Sequence, residues 1–407
     1  MRILIVGGGG REHALAWRLT QEGHEIAGAP GNPGVGQLGP LFDNVSEALR
    51  GFEPELVVIG PEDPLIGGMA DELRQRGIPT FGPGGMGARL EASKAWSKKM
   101  MEEAGVPTAA ATIHTDYQEA CEEVAKRFAS GRHVAIKASG AALGKGVILC
   151  GDELHARHAL SRMLLDEEFG DAGRLVVVED FLEGREFSIL TVVSEQGLLS
   201  LPVAQDYKRV GDGDTGENTG GMGTYSPVPW VTTAMVEETE ARIVRPIVDH
   251  LRAKGVPYSG VLFSGVMVVD GSPYCLEYNV RFGDPETQSV MRRVEGVGDL
   301  LWAAAQGEAL PPVRITEPAA VTVVAASAGY PATSQKGMPI TLGEMPEGVV
   351  VFHAGTEMQD GQLVTNGGRV LAVSAVADDL EQARARAYAG MDQVAFAGKH
   401  FRSDIGH

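Results

Sequence analysis

The stretch CLEYNVRFGDPETQ (275–288) sets an acid, an amide and an arginine at alternate positions. In a strand, Tyr274, Leu276, Tyr278 and Val280 face one way, and Glu277, Asn279 and Arg281 face the other. A row of acid, amide and base makes a poor core, so that face is either solvated or the floor of a site. Glu277 and Asn279 can offer oxygens to one hard cation. Magnesium takes about six oxygens, most of them from phosphate and water. Arg281, one step further along, can grip a phosphoryl or carboxylate oxygen.

Other segments carry chemistry of the same kind. IKASGAALGKG (136–146) lacks the GK[ST] ending of a Walker loop and runs into the strand VILC rather than a helix. Any phosphate here is covered by a flap between antiparallel strands, with Lys137 on the strand and Lys145 in the flap; the alternative is a solvated hairpin. In VVVEDFLEGREFSI (176–189), Glu179 and Glu186 are candidates for a purine amine and a ribose diol, or are rim acids. QDYKRVGDGDTGENTGGMG (205–223) joins Asp206, Lys208 and Arg209 to a glycine-rich loop, suited to closing over a phosphorylated substrate or simply solvated. GGGGREH (7–13) follows the first strand and offers free N–H groups to an anion, or makes a tight turn. Gly7 and Gly9 fit a dinucleotide fingerprint, but its sixth position is Glu12, which weakens a nicotinamide reading. His13 lies near that turn and can touch substrate. In GPEDPL (60–65), Glu62 either caps a helix or receives a substrate hydroxyl. Lys94 and Lys98 share a helix face; either can enter a nucleotide site, the other being a surface lysine.

The elements that must position these groups alternate strand and helix over the first ninety or so residues. RILIV and ELVVIG read as buried strands, REHALAWRLTQEG and MADELRQRG as helices. This predicts an open α/β domain with ligand sites at the carboxyl ends of its strands. From Ser93 the pattern shifts to a mixed unit with helices on one side of an antiparallel sheet. A helix is expected over 232–254, and a hairpin across DGSP joins LFSGVMVV to the Glu277 strand. The span 211–227 reads as a long loop. Three strands and a closing helix follow from about 313. The expected domains are 1–92, 93–312 (flap-bearing part about 108–190, catalytic part about 191–312) and 313–407.

With 407 residues and 43% apolar content, the chain is large enough for several cores. Its net charge of -19 argues against nucleic-acid binding. Cys121, Cys150 and Cys275 match no zinc or redox spacing and suit a reducing cytosol. Neither a signal peptide nor a membrane span is evident, so a cytoplasmic protein with no membrane partner is expected.

Taken in order, GGGREHALAW, APGNPG, GPEDPL, FGP, EASKAWSK, IKASGAALGKGV, VEDFLEG, QDYKRVGDGDTGENTGGMGTYSP, EYNVRFGDPETQ, FHAGT, VTNGGRVL and RSDIG resemble the phosphoribosylamine–glycine ligases (glycinamide ribonucleotide synthetases) of the ATP-grasp superfamily. The likeness covers the whole chain. It implies an α/β and α+β multidomain fold: an ATP-grasp unit, an N-terminal open parallel-sheet (Rossmann-like) domain and a small C-terminal β-rich domain. It implies ATP between two β-rich subdomains under the flap 138–146, contacted by Lys94, Lys137, Ser139, Gly140, Gly144, Lys145, Gly146, Glu179, Leu182 and Glu186. Glu179 would meet the adenine edge and Glu186 the ribose. Magnesium or manganese would sit on Glu277 and Asn279. Phosphoribosylamine would draw on Gly9, Arg11, Glu12, His13 and Glu62, and on Asp206, Lys208, Arg209, Asn218, Thr219, Gly220, Gly221 and Arg281. Arg281, Lys137, Lys145 and Asp284 would act on the reacting groups. The implied reaction joins glycine to 5-phosphoribosylamine through glycyl phosphate, in a single-activity, bacterial-type enzyme. A monomer is expected, a weak dimer being the alternative. Readings that stay open are an ATP-grasp relative using bicarbonate or formate, a non-catalytic nucleotide-binding protein and a nicotinamide oxidoreductase.

Overall fold

The computed structural model describes residues 1–140 and 146–407. The N-terminal sheet is parallel throughout, in the order Glu25–Pro30, Arg2–Gly7, Leu56–Ile59, Thr80–Phe81. Its central strand is apolar on both faces because both are covered. Leu4 and Val6 pack into one core and Ile3 and Ile5 into another. Helix Gly10–Gln21 starts where that strand ends. Gly8 in the turn is needed because a Cβ there would lie 2.4 Å from the Gly31 carbonyl oxygen.

The sheet expected to carry the flap is antiparallel, ordered Ala111–His114, Val176–Asp180, Val134–Ala138, Val147–Cys150. Helices Tyr117–Ala129 and Glu153–Leu164 cover it and share its core with Val134, Ile136 and Val178. The sheet of the expected catalytic part runs Leu198–Ser200, Arg185–Val193, Gly260–Val269, Ser272–Asn279, all antiparallel. The expected hairpin forms, with Asp270 at φ 48° and Gly271 at φ 81° in its turn.

Two expectations change. The helix over 232–254 is interrupted by a π turn at Glu240–Val244 between Thr233–Thr239 and Arg245–Ala253. Pro246 explains it, since proline donates no N–H and crowds the carbonyl four residues back. The span 211–227 is not a featureless loop. Arg209–Gly211 and Thr215–Asn218 form a hairpin, and Gly223–Ser226 is a buried strand. That strand and Gln205–Asp206 join the C-terminal sheet, ordered Gln205–Asp206, Gly223–Ser226, Ala319–Ala326, Arg369–Ala377, Val349–His353. The third domain's sheet therefore begins inside the second. Among the described residues, no helix is long and apolar enough to cross a membrane.

Asn32 fastens the first domain to the third. Its Nδ2 donates to the carbonyls of Gly8 (2.9 Å) and His353 (2.8 Å), while its Oδ1 caps helix Pro33–Gly36. Beside it, His13 Nδ1 accepts the His353 N–H at 2.8 Å, and the two rings lie 5.6 Å apart. Burial drives both imidazoles down, His13 to about 3 and His353 to about 4. Both are neutral in the folded chain and take up protons on unfolding below about pH 6.5, the ordinary histidine value. Stability from this pair is thus complete above pH 6.5 and is lost as pH falls towards 4, at up to about 1.4 kcal/mol per pH unit for each ring. Thermal melts at pH 7 and pH 5.5 should show the drop, and His13→Asn should flatten it. An unaltered slope in His13→Asn would remove His13 from this role.

Candidate functional site

A cleft of about 820 Å³ separates the flap sheet from the catalytic sheet. Its floor is the end of strand Ser272–Asn279, and Glu277, Asn279 and Arg281 line it. Val280 and the Tyr278 ring turn into the core with Cys275, but Leu276, expected on their side, lines the cleft, because the strand's register shifts between Cys275 and Glu277. Tyr278 is 2% exposed and donates its hydroxyl to the Ile243 carbonyl, and Val280 is fully buried. Burial pushes the Glu277 carboxyl upward, but Lys208, Lys137, Lys94 and Arg281 outweigh it and hold it below the usual carboxylate range. It is therefore an anion amid cations.

Arg281 is held from two sides, by Glu62 at 3.4 Å and Glu91 at 3.1 Å. Glu91, from the last turn of helix Gly85–Ala92, also accepts the Val280 N–H at 2.8 Å. One carboxylate thereby fixes both the strand end and the arginine head. Glu91 carries no motif signal of its own, and the sequence reading missed it.

On the flap side, Glu179 is bracketed by Lys137 at 2.8 Å and Lys98 at 3.3 Å. Burial lowers Lys98, whereas for Lys137 burial is outweighed by the Glu179 charge and hydrogen bond together with the Glu277 charge, which raise it. Lys98 also donates to Thr108 Oγ1 at 2.6 Å. The expectation that one of Lys94 and Lys98 is a surface lysine is corrected: Lys98 is 7% exposed, and Lys94 reaches the Gly140 carbonyl at 3.3 Å. Ser139 docks on the start of the same helix, Lys94–Glu103, its Oγ accepting the Ala95 N–H at 3.1 Å. Gly146 and Leu182 line the cleft. Gly144 and Lys145 lie outside the described residues. Glu186 pairs with Lys208 across the cleft mouth.

Asp206, Lys208, Arg209, Asn218, Thr219 and Gly220 also line the cleft. Gly221 sits behind them at φ 110°, its N–H donating to Thr219 Oγ1 at 2.9 Å. Burial, with Glu286, Glu186 and Glu277 nearby, pushes the Asp206 carboxyl well up against the pull of Lys208. Glu286 is buried too and accepts from Ser188 Oγ at 3.3 Å. Asp284 is held low despite burial, by Arg369 and Arg11. Arg369 comes from the third domain and donates to the carbonyls of Gly220 (2.6 Å) and Asp284 (2.7 Å). Glu286 and Arg369 were also missed; Glu286 lies two residues past Asp284 in the same motif and could have been found there, whereas only the fold brings Arg369 here.

From the first domain, Arg11 and Glu62 reach the cleft, 3.5 Å apart. Glu12 stands behind Arg11 at 2.6 Å, is 1% exposed and accepts the Gly9 N–H at 2.6 Å. His13 is turned away, packed edge-on against Phe352. Gly9, Glu12 and His13 thus back the wall rather than line it.

Among the described residues no cluster of three or more His, Cys, Asp or Glu could hold a metal. One carboxylate and one amide is nevertheless a fitting donor set for a cation that takes most of its oxygens from phosphate and water.

Three family models match in order: the N domain of phosphoribosylglycinamide synthetase over 1–91, its ATP-grasp (A) domain over 92–287 and its C domain over 320–407. The chain is 45% identical over 421 residues to the phosphoribosylamine–glycine ligase of Agrobacterium fabrum, covering 98% of that protein. It is 43% identical to the bifunctional purine biosynthetic protein PUR2,5 of Pichia angusta, but spans only 54% of its length. Among solved structures, it resembles the phosphoribosylamine–glycine ligase of Thermotoga maritima with a TM-score of 0.89 at 35% identity, over 99% of this chain and 100% of that one.

Proposed function

The chain belongs to the phosphoribosylglycinamide synthetase family, and from that premise we infer that its cleft joins glycine to 5-phosphoribosylamine with ATP, giving glycinamide ribonucleotide, ADP and phosphate. The observation that carries the site assignment is that Glu277 lines the same cleft as Lys208, Lys137, Lys94 and Arg281, whose charges hold its carboxyl below the usual range. Such a ring is suited to concentrated phosphate charge.

A free carboxylate is a poor acylating agent, so the glycine carboxylate first attacks the γ-phosphorus and expels ADP. The resulting glycyl phosphate is attacked at its acyl carbon by the ribosylamine nitrogen, and phosphate leaves. No covalent bond to the protein is needed, so positioning and charge neutralisation carry the chemistry. Lys94 and Lys137 hold the nucleotide phosphates. Glu179 and Glu186 face the base and ribose. Arg281, braced by Glu62 and Glu91, steadies the transferring phosphoryl group. Arg11 and the 205–221 segment receive the ribosylamine, with Asp284 beside them. Glu277 and Asn279 would hold magnesium or manganese, which when bound offsets phosphate charge. The test is to follow a carboxylate oxygen of glycine into the released phosphate.

A further inference from the structure

The far side of the 205–218 segment is gripped by the last residues described. Arg402 is 1% exposed, although it is charged and close to the end of the sequence. It donates to both Asp404 oxygens (2.7 and 2.6 Å), to Asp214 Oδ1 (2.8 Å) and to the Arg209 carbonyl (3.0 Å). Its guanidinium lies 4.8 Å from the centre of the Tyr207 ring. Asp404 in turn accepts the Gly213 N–H at 2.9 Å, and the Ser403 N–H donates to Asp212 at 2.9 Å. The Tyr207 hydroxyl accepts the Gly406 N–H at 3.0 Å and donates to the His407 carbonyl at 3.3 Å. Ile405, fully buried, anchors this stretch in the core of the third domain.

The hairpin so held is weak by itself. It is two short strands with an irregular register, and Thr215, Gly216 and Glu217 are exposed. A lone two-stranded hairpin is marginal in water. Its inner side nevertheless presents Arg209, Asp214 and Asn218 to the cleft, with Lys208 and Thr219 adjoining.

We propose that residues 402–406 form a strap that sets the 209–218 hairpin against the ribosylamine half of the cleft, with Arg402 as the positioning residue acting through Arg209 and Asp214. This rests on the assignment of the 205–221 segment to the ribosylamine. The strap shapes a substrate pocket from outside it and touches neither nucleotide nor reacting atoms. Displacing binding groups slightly weakens the substrate they hold and spares the others.

The experiment uses the full chain with Arg402→Met, Asp404→Asn and Tyr207→Phe. It reads KM for each of the three substrates, kcat, and amide hydrogen exchange over 209–218. Asp404→Asn and Arg402→Met should raise KM for phosphoribosylamine about tenfold, with kcat and the KM for ATP within about twofold, and exchange should quicken in the hairpin. Tyr207→Phe keeps the ring under Arg402 and should give a smaller rise of the same kind. If Arg402→Met fails to fold, the two milder variants decide. Faster exchange with unchanged ribosylamine KM, or unchanged exchange in Asp404→Asn, overturns the strap. A rise confined to the KM for ATP instead overturns the assignment of this segment to the ribosylamine.

Discussion

Replacing Glu277 by Gln should lower kcat about a thousandfold, near 4 kcal/mol in transition-state free energy, while the chain stays folded. The substitution keeps shape and removes only charge. Four cations, Lys208, Lys137, Lys94 and Arg281, face this carboxylate and keep it ionised. A neutral amide leaves them opposed to one another and takes away the only anionic oxygen assigned to the divalent ion. Titrating ADP release against magnesium should show a much higher metal requirement in Glu277→Gln, with the circular dichroism spectrum retained. Wild-type turnover at ordinary magnesium would exclude Glu277 as the metal carboxylate.

Arg281→Ala should act differently, lowering kcat by about a hundredfold to a thousandfold with ATP affinity little changed. A group that stabilises charge only as the phosphoryl moves contributes to the transition state and not to the ground state. The brace behind it is two ion pairs, to Glu62 at 3.4 Å and Glu91 at 3.1 Å, with Glu91 again on the neighbouring Val280 N–H. Calorimetric ATP binding alongside single-turnover ADP formation separates the two effects. Turnover that survives Arg281→Ala would end the clamp role, and weakened ATP binding with intact turnover would reassign the residue to simple nucleotide binding.

How much of this was legible before folding depends on how local each signal is. Glu277, Asn279 and Arg281 declared themselves because a strand alternates its faces, and Tyr278 and Val280 filled the other face with apolar bulk. The parallel N-terminal sheet was legible by a different local signal, short continuous apolar runs between helices. Glu91 was not, because its meaning lies in a hydrogen bond to Val280, 189 residues away. Arg369 reaches Asp284 across 85 positions and reads as an ordinary strand arginine. One of Lys94 and Lys98 reads as a surface lysine because helix spacing says which face they share, not what covers that face; Glu179 and Thr108 engage Lys98 there. The 211–227 span hid a hairpin and a strand because its glycines mask any period, and its strand is set by pairing with Ala319–Ala326.

The most direct measurement gives the enzyme glycine labelled with oxygen-18 in its carboxylate, together with ATP, magnesium and phosphoribosylamine. One labelled oxygen should appear in each inorganic phosphate released, and ADP should form in step with the amide only when glycine is present. Unlabelled phosphate, or ADP release that formate or bicarbonate sustains without glycine, would contradict ligation through an acyl phosphate in this cleft.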